Sequence, residues 1–227
     1  MLYFHRDHAD NPIDLPVGKV VCVGRNYVDH IQELNNELPD QPLLFMKPAT
    51  SLCNLNQPLT LPKAKGSCHN ELEVAILLSS SLSCATPEQA QTAIWGVGLG
   101  LDLTLRDLQN ELKQKGLPWE RAKAFDGACP MSGFLPYQQL HGLADLQFRL
   151  SVNDIARQSG NTGLMIWDAI TLLCEISQVF TLMPGDIVMT GTPKGVGPII
   201  PGDKLDIELM SHFSVTTQIK QDASHVA

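Results

Sequence analysis

The sequence predicts an α+β fold, rich in strands and holding a few short helices, and three observations carry the prediction. Most apolar residues fall in short β-branched or alternating runs bounded by Pro, Gly, Asn or Asp. Helix signals are confined to a few separated segments. Strand and helix signals do not alternate as they do in a parallel βαβ sheet. The chain has 227 residues, 44% of them hydrophobic and 18% charged, so one large domain over residues 1–227 with a sizeable core is expected.

The first twenty residues read as a short strand and a turn leading into "KVVCVG", a buried β-branched strand. Residues 26–42 are polar, acidic and proline-terminated, as in one short helix on a long surface connection of the kind that serves as a lid. "PLLFMKP" reads as the next strand, and an irregular stretch follows between Pro58 and Cys68. In "ELEVAILL", Leu72, Val74, Ile76 and Leu78 alternate along one strand face. Thr86-Pro87-Glu88-Gln89 has a helix N-cap, a proline at the first helical position and a capping-box Gln. In "IWGVGLGLDL", Gly96, Gly98 and Gly100 leave one face of a strand bare, so a neighbouring element or a ligand must come close there. Thr104 starts a helix that Gly116 stops. The remainder reads as a hairpin across Asn153-Asp154, a helix over "DAITLLCEISQVF" and two strands launched by Pro-Gly-Asp turns.

Composition narrows the function. Sixteen Lys and Arg stand against 24 Asp and Glu, a net charge of -8, which disfavours a nucleic-acid binder. No apolar stretch is long enough to span a membrane, and the N-terminus lacks signal- or transit-peptide character. Six scattered cysteines without a C-x-x-C pair read as small buried hydrophobes of a reduced, cytoplasmic protein.

Glu71 and Glu73 share a strand face at about 6.5–7 Å. A later strand delivers Asp102 at the end of the glycine face, and His69 and Asn70 lie just upstream of the glutamates. Three carboxylates suit a hard cation, Mg²⁺ or Mn²⁺, and not zinc. An isolated E-x-E is more often a solvated strand edge. His30 and Glu33, at i and i+3, can form a pair in which the carboxylate orients the imidazole as a general base; the bland alternative is a surface pair. Arg25, Lys47, Arg106 and Lys123 are cations set among small or apolar residues, where snorkelling surface chains are the plain explanation. Arg106 and Gln109 lie one turn beyond Asp102. Thr192 sits in the glycine-rich turn "TGTPKGVG", whose backbone N–H groups can meet a carboxylate.

Five ordered stretches, "VCVGRNYVDHIQE", "LFMKPATSL", "HNELEVAIL", "GLDLTLRDLQNELKQKGLPWERAKAFDGACP" and "LMPGDIVMTGTPKGVG", resemble the fumarylacetoacetate hydrolase family. The similarity is to its small acylpyruvate hydrolase and oxaloacetate decarboxylase branch. The resemblance implies a mixed β-roll of that family's C-terminal-domain type, a homodimer, and Glu71, Glu73 and Asp102 as ligands of Mg²⁺ or Mn²⁺. It makes His30 and Glu33 a dyad on a lid that orders over ligand, and puts Lys123 beside the metal. Arg106, Gln109 and Thr192 then bind substrate, with Arg25 and Lys47, which fall inside the matched stretches, placed with them. Asn70 stands where relatives commonly carry a second histidine, and "KPAT" where many have a serine pair.

The expected reaction is metal-dependent hydrolysis of a C–C bond in an acylpyruvate, with water activated by His30 and Glu33 and the oxyanion met by Lys123. The alternatives are decarboxylation or tautomerisation of oxaloacetate, and hydration or isomerisation of an unsaturated 2-oxo acid. A non-enzymatic protein holding a structural cation is the rival from another class. The expected partner is a small 2-oxo acid; neither nucleic acid nor membrane is expected.

Overall fold

The computed structural model describes residues 3–34, 37–62 and 66–221. Its centre is an eight-stranded mixed sheet. In spatial order the main path runs Leu43–Lys47, Val20–Gly24, Ile187–Met189, Leu72–Leu78, Ile94–Leu101, Cys129–Met131 and Leu52–Asn54, with Leu135–Pro136 pairing onto the Ile94–Leu101 strand. A five-stranded sheet carries the Gln147–Val152 and Ile155–Asn161 hairpin, Lys204–Leu209, Phe213–Gln221 and Leu59–Leu61. A small three-stranded sheet joins Cys68–Asn70 to Gly197–Pro198 and Thr104–Leu105. Five α-helices lie among the described residues, so the strand-rich α+β expectation holds. None of them is long and apolar enough to cross a membrane.

The Leu72–Leu78 strand is buried at every position, because the sheet is covered on both faces. Leu72 and Val74 enter one apolar cluster with Leu99 and Phe148, Ile76 and Leu78 a second with Leu172 and Ile176, and Ala75 and Leu77 a third with Phe134 and Met131. Alternation in the sequence therefore does not separate inside from outside: the even-numbered residues divide between two clusters, and Ala75 and Leu77 join the third. This strand pairs antiparallel with Ile94–Leu101, Glu73 opposite Gly100, which brings the E-x-E to the strand leading into Asp102.

The bare face of Ile94–Leu101 is explained by protein packing. A Cβ on Gly96 would lie 2.4 Å from the Leu135 carbonyl oxygen, and one on Gly100 would lie 2.8 Å from the methionine side chains of Met131 and Met189. A neighbouring element fills the space.

The capping box at Thr86 and Gln89 is formed, launching a helix over Pro87–Thr92. Asn153 and Asp154 both take positive φ (51° and 63°), the conformation of a two-residue hairpin turn. The Ala169–Val179 helix is capped by Asp168.

Several expectations are corrected. Thr104 does not cap the next helix: it belongs to a two-residue strand, its hydroxyl donates to the Asp102 carbonyl, and the helix runs Arg106–Gln114. The "WERAK" stretch, for which no element was expected, forms a one-turn helix, Glu120–Lys123, too short to show periodicity. Leu59–Leu61 is a strand inside the stretch read as irregular, held by parallel pairing to Ile219 and its neighbours. The described residues before Val20 form only isolated bridges, Arg6 with Pro12 and Asp7 with Phe134, where a short strand was expected. Cys84 is exposed, unlike the buried Cys22, Cys68 and Cys129.

Candidate active site

The carboxylates of Glu71, Glu73 and Asp102 converge, each offering an oxygen within 4.8 Å of the others, and all three residues are buried. Local chain geometry accounts for this. Glu71 and Glu73 flank the start of the Leu72–Leu78 strand, and the Asp102 N–H donates to the Glu71 carbonyl at 2.8 Å where the partner strand ends. His69 and Asn70 are not part of the cluster. The Asn70 amide donates instead to the Gln158 side-chain oxygen at 2.8 Å.

Three buried cations balance the three carboxylates. Lys123 lies 2.8 Å from Glu71 and 2.6 Å from Asp102, and donates to the Thr104 hydroxyl at 2.6 Å. Arg106 pairs with the other Glu71 oxygen and donates to the Gln109 side-chain oxygen at 2.6 Å. Lys47, fully buried, lies 2.8 Å from Asp102 Oδ1 and donates to the carbonyls of Lys123 and Ala128.

Burial tends to discharge all of these groups, and the neighbours decide the outcome. Lys123 is pushed down by burial, but Asp102 and Glu71 outweigh that and hold it protonated with a raised pKa. Glu71 is pushed up by burial, yet Lys123 and Arg106 bring it well below the usual carboxylate range. Glu73 differs. Burial raises its pKa, Asp102 and Glu71 raise it further, and among the described residues its one hydrogen bond comes from the Gly191 N–H at 2.7 Å. Gly191 makes that bond at φ +99°, where an added Cβ would meet Asn26 at 2.7 Å.

The donor set fits a divalent cation. Glu73 is a buried carboxylate with no side-chain cation on it among the described residues. Asp102 Oδ1 has Lys47 nearby but no hydrogen bond of good angle. All three ligands are hard oxygen donors, the chemistry Mg²⁺ and Mn²⁺ favour.

A cleft of about 450 Å³, its open mouth included, reaches this cluster. Arg25, His30, Arg106, Gln109, Lys123 and Thr192 all line it. His30 is held on the short Val28–Glu33 helix with Nδ1 3.4 Å from Glu33 Oε2. Burial lowers the His30 pKa, with Glu71 and Glu33 opposing, so the ring is held towards the neutral form. The same Glu33 carboxylate accepts the Gly195 N–H at 3.0 Å, and Lys194 meets Asp29 at 2.8 Å, tying this helix to the 190–197 loop. Residues 35 and 36 of the expected lid lie outside the described residues. Thr192 donates to the Leu72 carbonyl at 2.8 Å and accepts from Gln158 at 2.7 Å.

Lys47, expected at the substrate, lies beneath the cluster instead. It has no exposed surface and is absent from the cleft wall, because Asp102 and two carbonyls occupy its ammonium. Several contributors escape a sequence reading. Gln158 links Asn70 and the Leu72 N–H, 88 and 86 residues away, to Thr192, 34 residues away, and no local pattern reveals such links. Lys113 also lines the cleft, and its position seven residues after Arg106 was a visible signal.

The comparisons agree with this geometry. Residues 19–221 match the model of the fumarylacetoacetate hydrolase C-terminal family. The chain is 47% identical over 219 residues to an oxaloacetate tautomerase of Escherichia coli K12, covering 96% of this chain and all of that one. It superposes on a fumarylacetoacetate hydrolase family protein from Yersinia pestis CO92 with a TM-score of 0.94 and 47% identity, covering 96% and 100% of the two chains. A fumarylpyruvate hydrolase from Pseudomonas aeruginosa, solved with Mn²⁺ and pyruvate, gives a TM-score of 0.91 at 30% identity, covering 97% and 96%. With a carboxylate triad, a matched fold and a match over nearly the whole chain, the protein belongs to the fumarylacetoacetate hydrolase family.

Proposed function

We propose that the protein is a divalent-cation-dependent enzyme acting on a small 2-oxo acid, and that its reaction is keto–enol tautomerisation of oxaloacetate. The observation that carries the reading is a base held towards neutrality and a locked cation facing one cleft, His30 and Lys123. The oxaloacetate tautomerase relative, matched along its whole length, supports this choice of reaction.

Glu71, Glu73 and Asp102 would hold Mg²⁺ or Mn²⁺, which when bound would supply Lewis-acid polarisation of a 2-oxo group. The chain's own residues move the proton. With Nδ1 directed to Glu33, His30 Nε2 is the free lone pair, and it takes one proton from C3 of the keto acid. The C–H electron pair becomes the C2–C3 double bond, and charge collects on the C2 oxygen. Lys123 stays protonated, so it serves that oxygen as a fixed positive charge and not as a base. Returning the proton to the oxygen gives the enol. Arg106, Gln109 and Thr192 line the same cleft and orient the carboxylate.

Decarboxylation of oxaloacetate passes through the same enolate and is the runner-up. Hydrolysis of an acylpyruvate remains a second reading because the His30–Glu33 pair can equally activate water. One experiment separates them. Metal-stripped protein, with Mg²⁺ or Mn²⁺ added back, is given oxaloacetate while enol absorbance and pyruvate are followed together, and acetylpyruvate in a parallel sample. Metal-dependent enol–keto conversion outrunning pyruvate release is expected. Faster pyruvate release from acetylpyruvate would overturn the proposal in favour of hydrolysis.

A further inference from the structure

The Arg106–Gln114 helix presents one polar face to the cleft. Arg106, Gln109 and Lys113 stand at i, i+3 and i+7, and all three line it, while Leu108 and Leu112 pack towards the core. Arg106 and Gln109 are buried against the carboxylate cluster and already partnered. Lys113 is different. It is half-buried, and its ammonium sits 5.1 Å from the centroid of the Trp119 ring. No carboxylate pairs with it among the described residues.

A lysine placed this way in an acidic protein is out of place as structure. Burial, and then the neighbouring Arg106, Arg25 and Lys123, press its pKa down to about 8, with Glu71 the one opposing charge. The Trp119 face attracts the ammonium but carries no formal charge to neutralise it. The cluster of like charges costs energy that an anion would recover. Moving out from the metal-type triad, the cleft carries Lys123 and Arg106 paired to carboxylates, then Lys113 without one.

We propose that Lys113 is a specificity-determining residue that binds the second carboxylate of a dicarboxylic 2-oxo acid. This deepens the 2-oxo acid reading above and rests on it. Oxaloacetate and pyruvate make the comparison clean, because they differ by that one carboxylate. Arg106, Gln109 and Thr192 meet the shared 2-oxo acid end, and Lys113 meets only the extra group.

The test is calorimetric binding of oxaloacetate and of pyruvate to the Mg²⁺-loaded protein, wild type, Lys113→Met and Lys113→Arg. The wild type is expected to prefer oxaloacetate. Lys113→Met should weaken oxaloacetate by about 10- to 150-fold, the worth of a hydrogen bond to a charged group, and leave pyruvate within about 2-fold. Lys113→Arg should restore most of the preference, which a purely structural role would not do. Preference unchanged in Lys113→Met, or pyruvate weakened as much as oxaloacetate, would overturn the role of Lys113 and leave the 2-oxo acid reading standing. Wild-type protein that binds both ligands equally would overturn the dicarboxylate preference, and binding of neither would remove the 2-oxo acid reading itself.

Discussion

Glu73→Gln should act in opposite directions with and without a divalent cation. The amide keeps an oxygen for the Gly191 N–H, so the local hydrogen bond at 2.7 Å survives. Without metal the substitution removes a buried carboxylate that repels Asp102 and Glu71 and has no cation on it, so stability should hold or rise slightly. With metal the arithmetic reverses. A cation at a hundred times its Kd stabilises by about 2.7 kcal/mol, which for a chain of this size is about 5–11 °C in Tm. Losing one of three charged ligands by a hundredfold in affinity would leave about 0.4 kcal/mol at the same concentration, a shift of about 1–2 °C. Thermal unfolding of both proteins, stripped and with Mg²⁺ or Mn²⁺ added back, measures all four values. Equal metal-induced shifts in the two proteins would refute the ligand role. A large loss of stability in stripped Glu73→Gln would refute the electrostatic account.

Two further outcomes follow from buried groups. Lys47→Met should destabilise the protein by about 3–5 kcal/mol in denaturant unfolding, because Asp102 Oδ1 loses its cation and two carbonyls lose a donor; a loss below about 1 kcal/mol would contradict that support. His5 Nε2–H donates to the buried Pro16 and Gly185 carbonyls at 3.1 Å and 3.0 Å, and burial lowers its pKa. The unfolded chain therefore binds the extra proton first, so this contribution is intact above the unfolded value near 6.5 and declines as pH falls below it. His5→Gln should flatten stability against pH as pH falls below about 6.5, by up to about 1.4 kcal/mol per unit. An unchanged slope would show that the ring titrates freely.

What was legible in the sequence was local. A capping box, an Asn-Asp turn and a Gly116 stop are each set by a few adjacent residues, and each is where it was expected. The carboxylate triad was legible as a donor set, but its assembly depends on the Leu72–Leu78 and Ile94–Leu101 strands being neighbours, which no spacing reveals. The one-turn helix that delivers Lys123 has no periodicity to read. Lys47 shows the opposite failure. A lysine at the end of an apolar strand reads as a surface group, whereas its ammonium crosses the core to Asp102. Side chains that act over long sequence separations, Gln158 above all, became visible only once the sheets were assembled.

The Glu33 carboxylate faces two ways, towards the His30 ring and towards the Gly195 N–H, with about a third of its side chain exposed. Its rotamer is thus fixed by a loop 162 residues away in sequence. If the short helix and that loop part, Glu33 regains freedom worth up to about 2 kcal/mol of rotamer entropy, and the imidazole loses its fixed neighbour at the same moment. On the mechanism proposed above, the alignment of His30 would therefore depend on this helix and loop staying together.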